Sequence, residues 1–345
     1  MQKGHATIAG TSRYATRFPQ FADFFTEAQG LTVSSLGIGS YLGSTDDNTS
    51  RAYEEAVKAA LQDGINFIDT SLNYRNQLSE RNIGAALEGL LQSGKIARDE
   101  FMIATKAGYL VAGAVTSAVV DKKDVVGDGH AMSPRFLVDQ LERSRKNLGL
   151  ATIDIFYLHN PETQLEELGG DEFYERLEAA FSTLEEAVSD GKIRFYGAAT
   201  WGGFRQSEDG LSLRRMEELA RSIAGELHKF RFIQLPFNLA MPEALRLRDE
   251  AGCSVLDHAV DLDISVVASA SILQSRLAHG LPEALKERLS GLETDAQRAI
   301  QFTRSTPGID VALVGMSKVA HVTENLGVAQ VPPVELAEYL QLFRP

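Results

Sequence analysis

Between residues 33 and 330 short apolar runs alternate with longer segments in which apolar residues recur at helical spacing. The runs 33–39, 65–70, 101–106, 153–159, 193–199, 232–235, 264–269 and 311–315 read as strands. Within them apolar residues are nearly continuous rather than alternating, the signature of a parallel sheet covered on both faces. Segments such as RAYEEAVKAALQDG and SPRFLVDQLERSRKNLG are amphipathic and close on the glycine expected at a helix C-terminus. Eight consecutive βα units predict an α/β protein with a closed (β/α)8 TIM barrel. A doubly wound sheet is the rival, but the first strand continues SSLGIGSYLG, without a G-x-G-x-x-G turn entering a helix.

Length is compatible with one large barrel, since 345 residues need not mean two domains. The expected organisation is an N-terminal extension over 1–30 and a barrel over 31–345. Hydrophobic residues at 44% and charged residues at 23% suit a folded globular chain. A net charge of −13 repels phosphate backbones and anionic lipid, so neither nucleic acid nor a membrane surface is an expected partner. One cysteine, Cys253, forms no intramolecular disulfide and no cysteine cluster for a metal. With no apolar leader-like run and no long apolar span, a cytoplasmic location is expected. Oligomeric state leaves no signal.

In a barrel of this kind the C-terminal ends of the strands face the active site. Those ends are polar here: INFIDT brings Asp69, followed closely by Tyr74; IATK brings Lys106; FYLHN brings His159 and Asn160. Each alone has an ordinary structural explanation as a helix cap, a solvated cation or a packed ring. Their coincidence at one end points instead to proton chemistry. A tyrosine titrates near 10, and a neighbouring ammonium such as Lys106 is expected to lower that value. Asp69 can hold Lys106, and a neutral His159 can hydrogen-bond a substrate oxygen and orient its carbonyl. Trp201, directly after the fifth strand, is a candidate substrate wall. The 107–132 connection is long enough to act as a lid or binding loop. His130, near its end, reads as a surface residue.

GINFIDTSLNYRNQLSERNIG, ATK, YLHN and VALVGMSKVAHVTENLG together resemble the aldo-keto reductase family over nearly the whole chain. The resemblance implies a barrel binding an extended nicotinamide cofactor, NADP(H) with NAD(H) as the alternative, and no metal. It assigns Tyr74 as acid, Lys106 and Asp69 as its tuners, and His159 as orienter, so that Tyr74 and His159 border the substrate beside the candidate wall Trp201. On the cofactor side it assigns Gly39, Ser40 and Tyr41, then Asp69, Asn160, Thr200, Gln234 and Ser269. Around the adenosine and its phosphate it assigns Gly315, Met316, Ser317, Lys318, His321, Glu324 and Asn325, and it makes the 107–132 loop the specificity element. There are three departures from the family pattern. Ala199 and Thr200 replace a Ser-Asn pair, Ser269 replaces a stacking tyrosine, and Lys318 is the one certain cation in the phosphate segment.

The expected function is reduction of an aldehyde or ketone to the alcohol, or the reverse, with a small-molecule carbonyl or alcohol as partner. Two other readings fit the same residues: a lyase or epimerase that uses bound nicotinamide transiently, and a non-catalytic cofactor-binding regulator.

Overall fold

The computed structural model describes residues 1–112, 118–205 and 210–343. Residues 113–117 of the 107–132 connection therefore lie outside the described residues. Among the described residues there are ten strands: β1 (Phe25–Ala28), β2 (Leu31–Ser34), β3 (Leu36–Gly39), β4 (Phe67–Asp69), β5 (Met102–Ala107), β6 (Ile153–His159), β7 (Ile193–Ala199), β8 (Phe230–Pro236), β9 (Ser265–Ser269) and β10 (Val311–Gly315). Strands β3 to β10 close into a parallel barrel in sequence order, β10 pairing back onto β3. This is the predicted (β/α)8 architecture. β5 and β6 are buried at every position, as their unbroken apolar runs require.

Helices between the strands begin and end where local chemistry sets them. Asp46 caps the Asp47–Asp63 helix by accepting from the Thr49 amide, and Gly64 ends it at φ 118°. A Cβ on Gly64 would also sit 2.4 Å from the Phe21 ring, so the position is closed to side chains for two reasons. Inside the barrel Gly197 lies at a register shift between β7 and β8, where a Cβ would fall 1.9 Å from the Phe232 carbonyl oxygen. Close approach of two strands, not backbone freedom, requires glycine there.

The predicted strand at 33–39 divides in two: its first part, in β2, pairs antiparallel with β1, and only β3 enters the barrel. The reason is packing at the barrel floor. Ala28, Leu31 and Val33 join Phe67, Met102, Ile155 and Phe232 in one buried apolar cluster, so the hairpin plugs the end opposite the strand tips. The first residues are tied to the same floor by Asp154, which accepts from the Ala6 and Ile103 amides and forms a buried ion pair with Arg98 at 2.6 Å. Among the described residues no helix is long and apolar enough to cross a membrane.

At the other end the strand register aligns the tips. Gly39 stands opposite Asp69 and Gly315, and Ala199 opposite both His159 and Gln234. Residues separated by up to 276 positions in the chain thus share one rim.

Candidate active site

The rim encloses a cavity of about 510 Å³. Gly39, Ser40, Tyr41, Asp69, Tyr74, His159, Asn160, Thr200, Trp201, Gln234, Ser269 and Gly315 all border it, so most of the sequence-derived set converges. Lys106 is fully buried behind this surface, held by the strand that carries it.

At the cavity base Lys106 Nζ donates to Asp69 Oδ1 at 2.5 Å and to the Thr70 carbonyl at 2.8 Å. Gln234 Nε2 donates to the other Asp69 oxygen at 2.8 Å. Burial pushes Asp69 above and Lys106 below their ordinary values, while attraction between them opposes both changes. Lys106 Nζ stands 5.1 Å from the centre of the Tyr74 ring. The expected lowering of the tyrosine is nevertheless reversed: burial first, then the negative charge of Asp69, hold Tyr74 well above 10. The ammonium's charge is matched by Asp69 in direct contact, so its field on the phenol is largely cancelled. Tyr74 is a neutral phenol.

Burial and the nearby Lys106 charge drive His159 well below 6.5, leaving a neutral imidazole as expected. Its Nδ1 lies 3.2 Å from Ser71 Oγ, and its ring meets those of Tyr74 and Tyr109 edge-on at 5.8 and 5.2 Å. Ser71 Oγ also lies 2.7 Å from Asn73 Oδ1; in the arrangement where it donates to Nδ1 instead, Nε2 carries the hydrogen and can itself donate.

His130 corrects the surface reading. It is 1% exposed, its Nε2 donates to the His159 carbonyl at 2.8 Å, and its Nδ1 accepts from Gln164 at 3.0 Å. The end of the 107–132 connection is thereby fastened to the strand carrying His159. Tyr109, near the connection's start, lies between the two histidine rings, and its hydroxyl accepts from Asn160 at 2.9 Å.

The segment after β10 is placed differently from the rest. Met316 is buried in the apolar core, Lys318 and Glu324 are exposed, and Asn325 is buried on the Val319–Asn325 helix. None of 316–325 borders this cavity, though Val319, Ala320, Thr323 and Glu324 border a separate one; the segment continues outward from Gly315, which lines the first. A Cβ on Gly315 would touch nothing within 4 Å, so that end of the cavity is open.

Several bordering residues escaped the sequence reading. Asn73 lay unused inside the quoted NYRN, and Tyr109 sat three residues after Lys106. The turn after β9 supplies Ile272, Gln274 and Ser275, with Leu273, Gln274 and Ser275 at φ 45°, 51° and 69°. Three consecutive left-handed residues without glycine leave no sequence signal.

A closed barrel with titratable side chains gathered at its strand ends around one cavity defines a (β/α)8 enzyme architecture. The family model described as "Aldo/keto reductase family" matches residues 35–339, and the chain belongs to that family of oxidoreductases. A D-threo-aldose 1-dehydrogenase from a Pseudomonas species is 26% identical over 338 residues, covering 90% of this chain and 95% of that protein. Among solved structures, an aldo/keto reductase from Klebsiella pneumoniae in complex with NADP and acetate superposes with a TM-score of 0.65 at 20% identity, covering 94% of both chains. The holo form of an aldo-keto reductase from Bacillus halodurans gives 0.66 at 20% identity, covering 93% of this chain and 95% of that one.

Proposed function

We propose that the protein reduces an aldehyde or ketone to the alcohol with NADPH, Tyr74 donating the proton, and that the reverse oxidation uses the same residues. The observation that carries this reading is the convergence of a neutral phenol, a neutral imidazole and a buried Lys106–Asp69 pair on one cavity.

The residues present suit a nicotinamide cofactor. Asn160, Thr200 and Gln234 offer amide and hydroxyl groups to a carboxamide along one wall, and the open end at Gly315 leads to Ser317 and Lys318 for an adenosine phosphate. Ser269 cannot stack on a ring as an aromatic residue would. When bound, a reduced nicotinamide supplies hydride to the carbonyl carbon. The carbonyl oxygen then takes its proton from the Tyr74 hydroxyl, and a hydrogen on His159 Nε2 orients and polarises it. Asp69 with Gln234 keeps Lys106 in place behind the Tyr74 ring, so the base of the site is fixed while the proton moves. Burial of these groups makes each polar contact stronger than it would be in water.

Nothing positively charged borders the cavity among the described residues, which favours neutral carbonyl compounds. The Pseudomonas relative is named for oxidation of aldoses, so sugar-like compounds belong in the test. The purified protein is titrated with NADPH and NADH, then given sugar-like, aliphatic and aromatic carbonyls while cofactor absorbance is followed. Net NADPH consumption with a carbonyl supports the reading; isomerisation or elimination without net consumption refutes it.

A further inference from the structure

The stretch after β7 begins Thr200, Trp201, Gly202, Gly203, and the indole at its head borders the cavity while remaining 46% exposed. A side chain so exposed has little packing of its own to fix it. Two successive glycines behind it allow many backbone conformations, so the segment needs an external anchor. The hydrogen bonds of its backbone identify one. The amides of Trp201, Gly202 and Gly203 donate to a single atom, Glu162 Oε1, at 2.7, 3.0 and 3.3 Å.

Glu162 stands three residues after His159 and starts the Glu162–Leu168 helix, so its backbone is fixed by the strand that carries the catalytic histidine. It is only 6% exposed, and Oε2 has no hydrogen-bond partner among the described residues. Burial raises the Glu162 carboxyl above its ordinary value, and the three amides that it accepts from oppose that shift. The stretch is also held by the buried Phe204 ring and by the Leu211 amide, which donates to the Gly203 carbonyl at 2.7 Å, and at its far end Arg205 pairs with Glu243 at 2.6 Å.

We propose that Glu162 is a positioning residue that fixes Trp201 at the cavity wall and thereby sets KM for the carbonyl substrate. The effect on substrate rests on the carbonyl-reductase reading above, whereas the hold on Trp201 does not. Glu162 acts through the backbone of its neighbours and touches no reacting atom. Its loss should therefore weaken substrate binding and leave hydride and proton transfer largely intact.

Trp201 is the only tryptophan in the chain, so its fluorescence reports this segment directly. The test uses the full-length protein carrying Glu162→Ala, Glu162→Gln or Glu162→Asp. Glutamine keeps an acceptor oxygen at the same reach, and aspartate withdraws it by one methylene. Glu162→Ala should lower Trp201 anisotropy and increase acrylamide quenching, with no substrate or cofactor needed. With NADPH and 4-nitrobenzaldehyde it should raise KM at least about fivefold while kcat stays within about threefold and NADPH affinity within about twofold. Glu162→Gln should return both readouts close to the parent. If the alanine variant fails to fold, Glu162→Asp carries the same test with a smaller change in the same direction. Unchanged anisotropy and quenching would overturn the anchoring, and altered fluorescence with unchanged KM would overturn its effect on substrate. Equal losses in kcat, KM and cofactor affinity, without rescue by glutamine, would mark Glu162 as merely structural. A parent that turns over no carbonyl would refute the reductase reading and the KM effect with it, while the fluorescence still decides the anchoring.

Discussion

The Lys106–Asp69 pair should behave as one unit in folding, and replacing either member should cost far more than half of replacing both. The two side chains meet at 2.5 Å with exposures of 0% and 6%, so water can compensate neither when the other is lost. Lys106→Met leaves Asp69 with Gln234 as its remaining side-chain partner; Asp69→Leu leaves Lys106 with the Thr70 carbonyl and the more distant charge of Glu80. Stranding a buried charge in this way costs about 3–5 kcal/mol. If the two sites were independent, the double variant would lose about 6–10 kcal/mol, comparable to the whole stability of an ordinary domain. It contains no stranded charge, so its loss should be smaller than that of either single variant. Urea unfolding followed by far-ultraviolet circular dichroism measures all four corners of the cycle. The pH dependence adds a check of sign. In Lys106→Met the folded-state value of Asp69, already raised by burial, rises further, so its deficit against the parent grows as pH increases through that value. In Asp69→Leu the folded-state value of Lys106, already lowered, falls further, and its deficit grows as pH decreases. Additive losses, or the same pH slope in both single variants, would refute the reasoning.

Burial holds His130 down to about 4, so the unfolded chain takes up a proton below about pH 6.5 that the folded chain refuses. Stability should therefore fall between about pH 6.5 and 4, by about 3 kcal/mol from this residue, and His130→Gln should flatten part of that slope in denaturant titrations. Lys318→Ala should weaken NADPH binding about five- to tenfold and leave NADH nearly unchanged, because an exposed ammonium contributes on the order of 1 kcal/mol to a phosphate contact. Equal weakening of both cofactors, measured by fluorescence titration, would remove Lys318 from the phosphate site. Gly197→Ala should destabilise the barrel by about 3 kcal/mol or more, since its Cβ would meet the Phe232 carbonyl at 1.9 Å; a parental unfolding midpoint would contradict that.

The barrel was legible because strands buried on both faces leave unbroken apolar runs, and all eight of its strands lie at the runs that the sequence marks. The antiparallel hairpin at the floor was not, because β2 and β3 are separated by one residue and read as a single run. In the site, Asp69, Lys106 and His159 could be placed by counting to strand ends, which needs only strand periodicity. Two kinds of information were hidden. The direction of the Tyr74 shift depends first on burial of the phenol and then on the charge of Asp69 beside it, a matter of packing rather than spacing. The role of Glu162 depends on three amides 39 to 41 positions away, and no local pattern announces such a contact. His130 was misread because a lone polar residue next to Gly129 looks like a loop tip, whereas Gln164 and the His159 carbonyl draw it inside.

The central claim, that Tyr74 delivers the proton to a carbonyl oxygen, is tested most directly by Tyr74→Phe. The change removes the hydroxyl while the ring can keep its edge-on contacts with Tyr41 and His159. With NADPH and the best carbonyl substrate of the panel, turnover followed at the cofactor absorbance should fall by at least about 100-fold, while NADPH affinity stays within about twofold. Turnover within about threefold of the parent would contradict the assignment and require another proton donor.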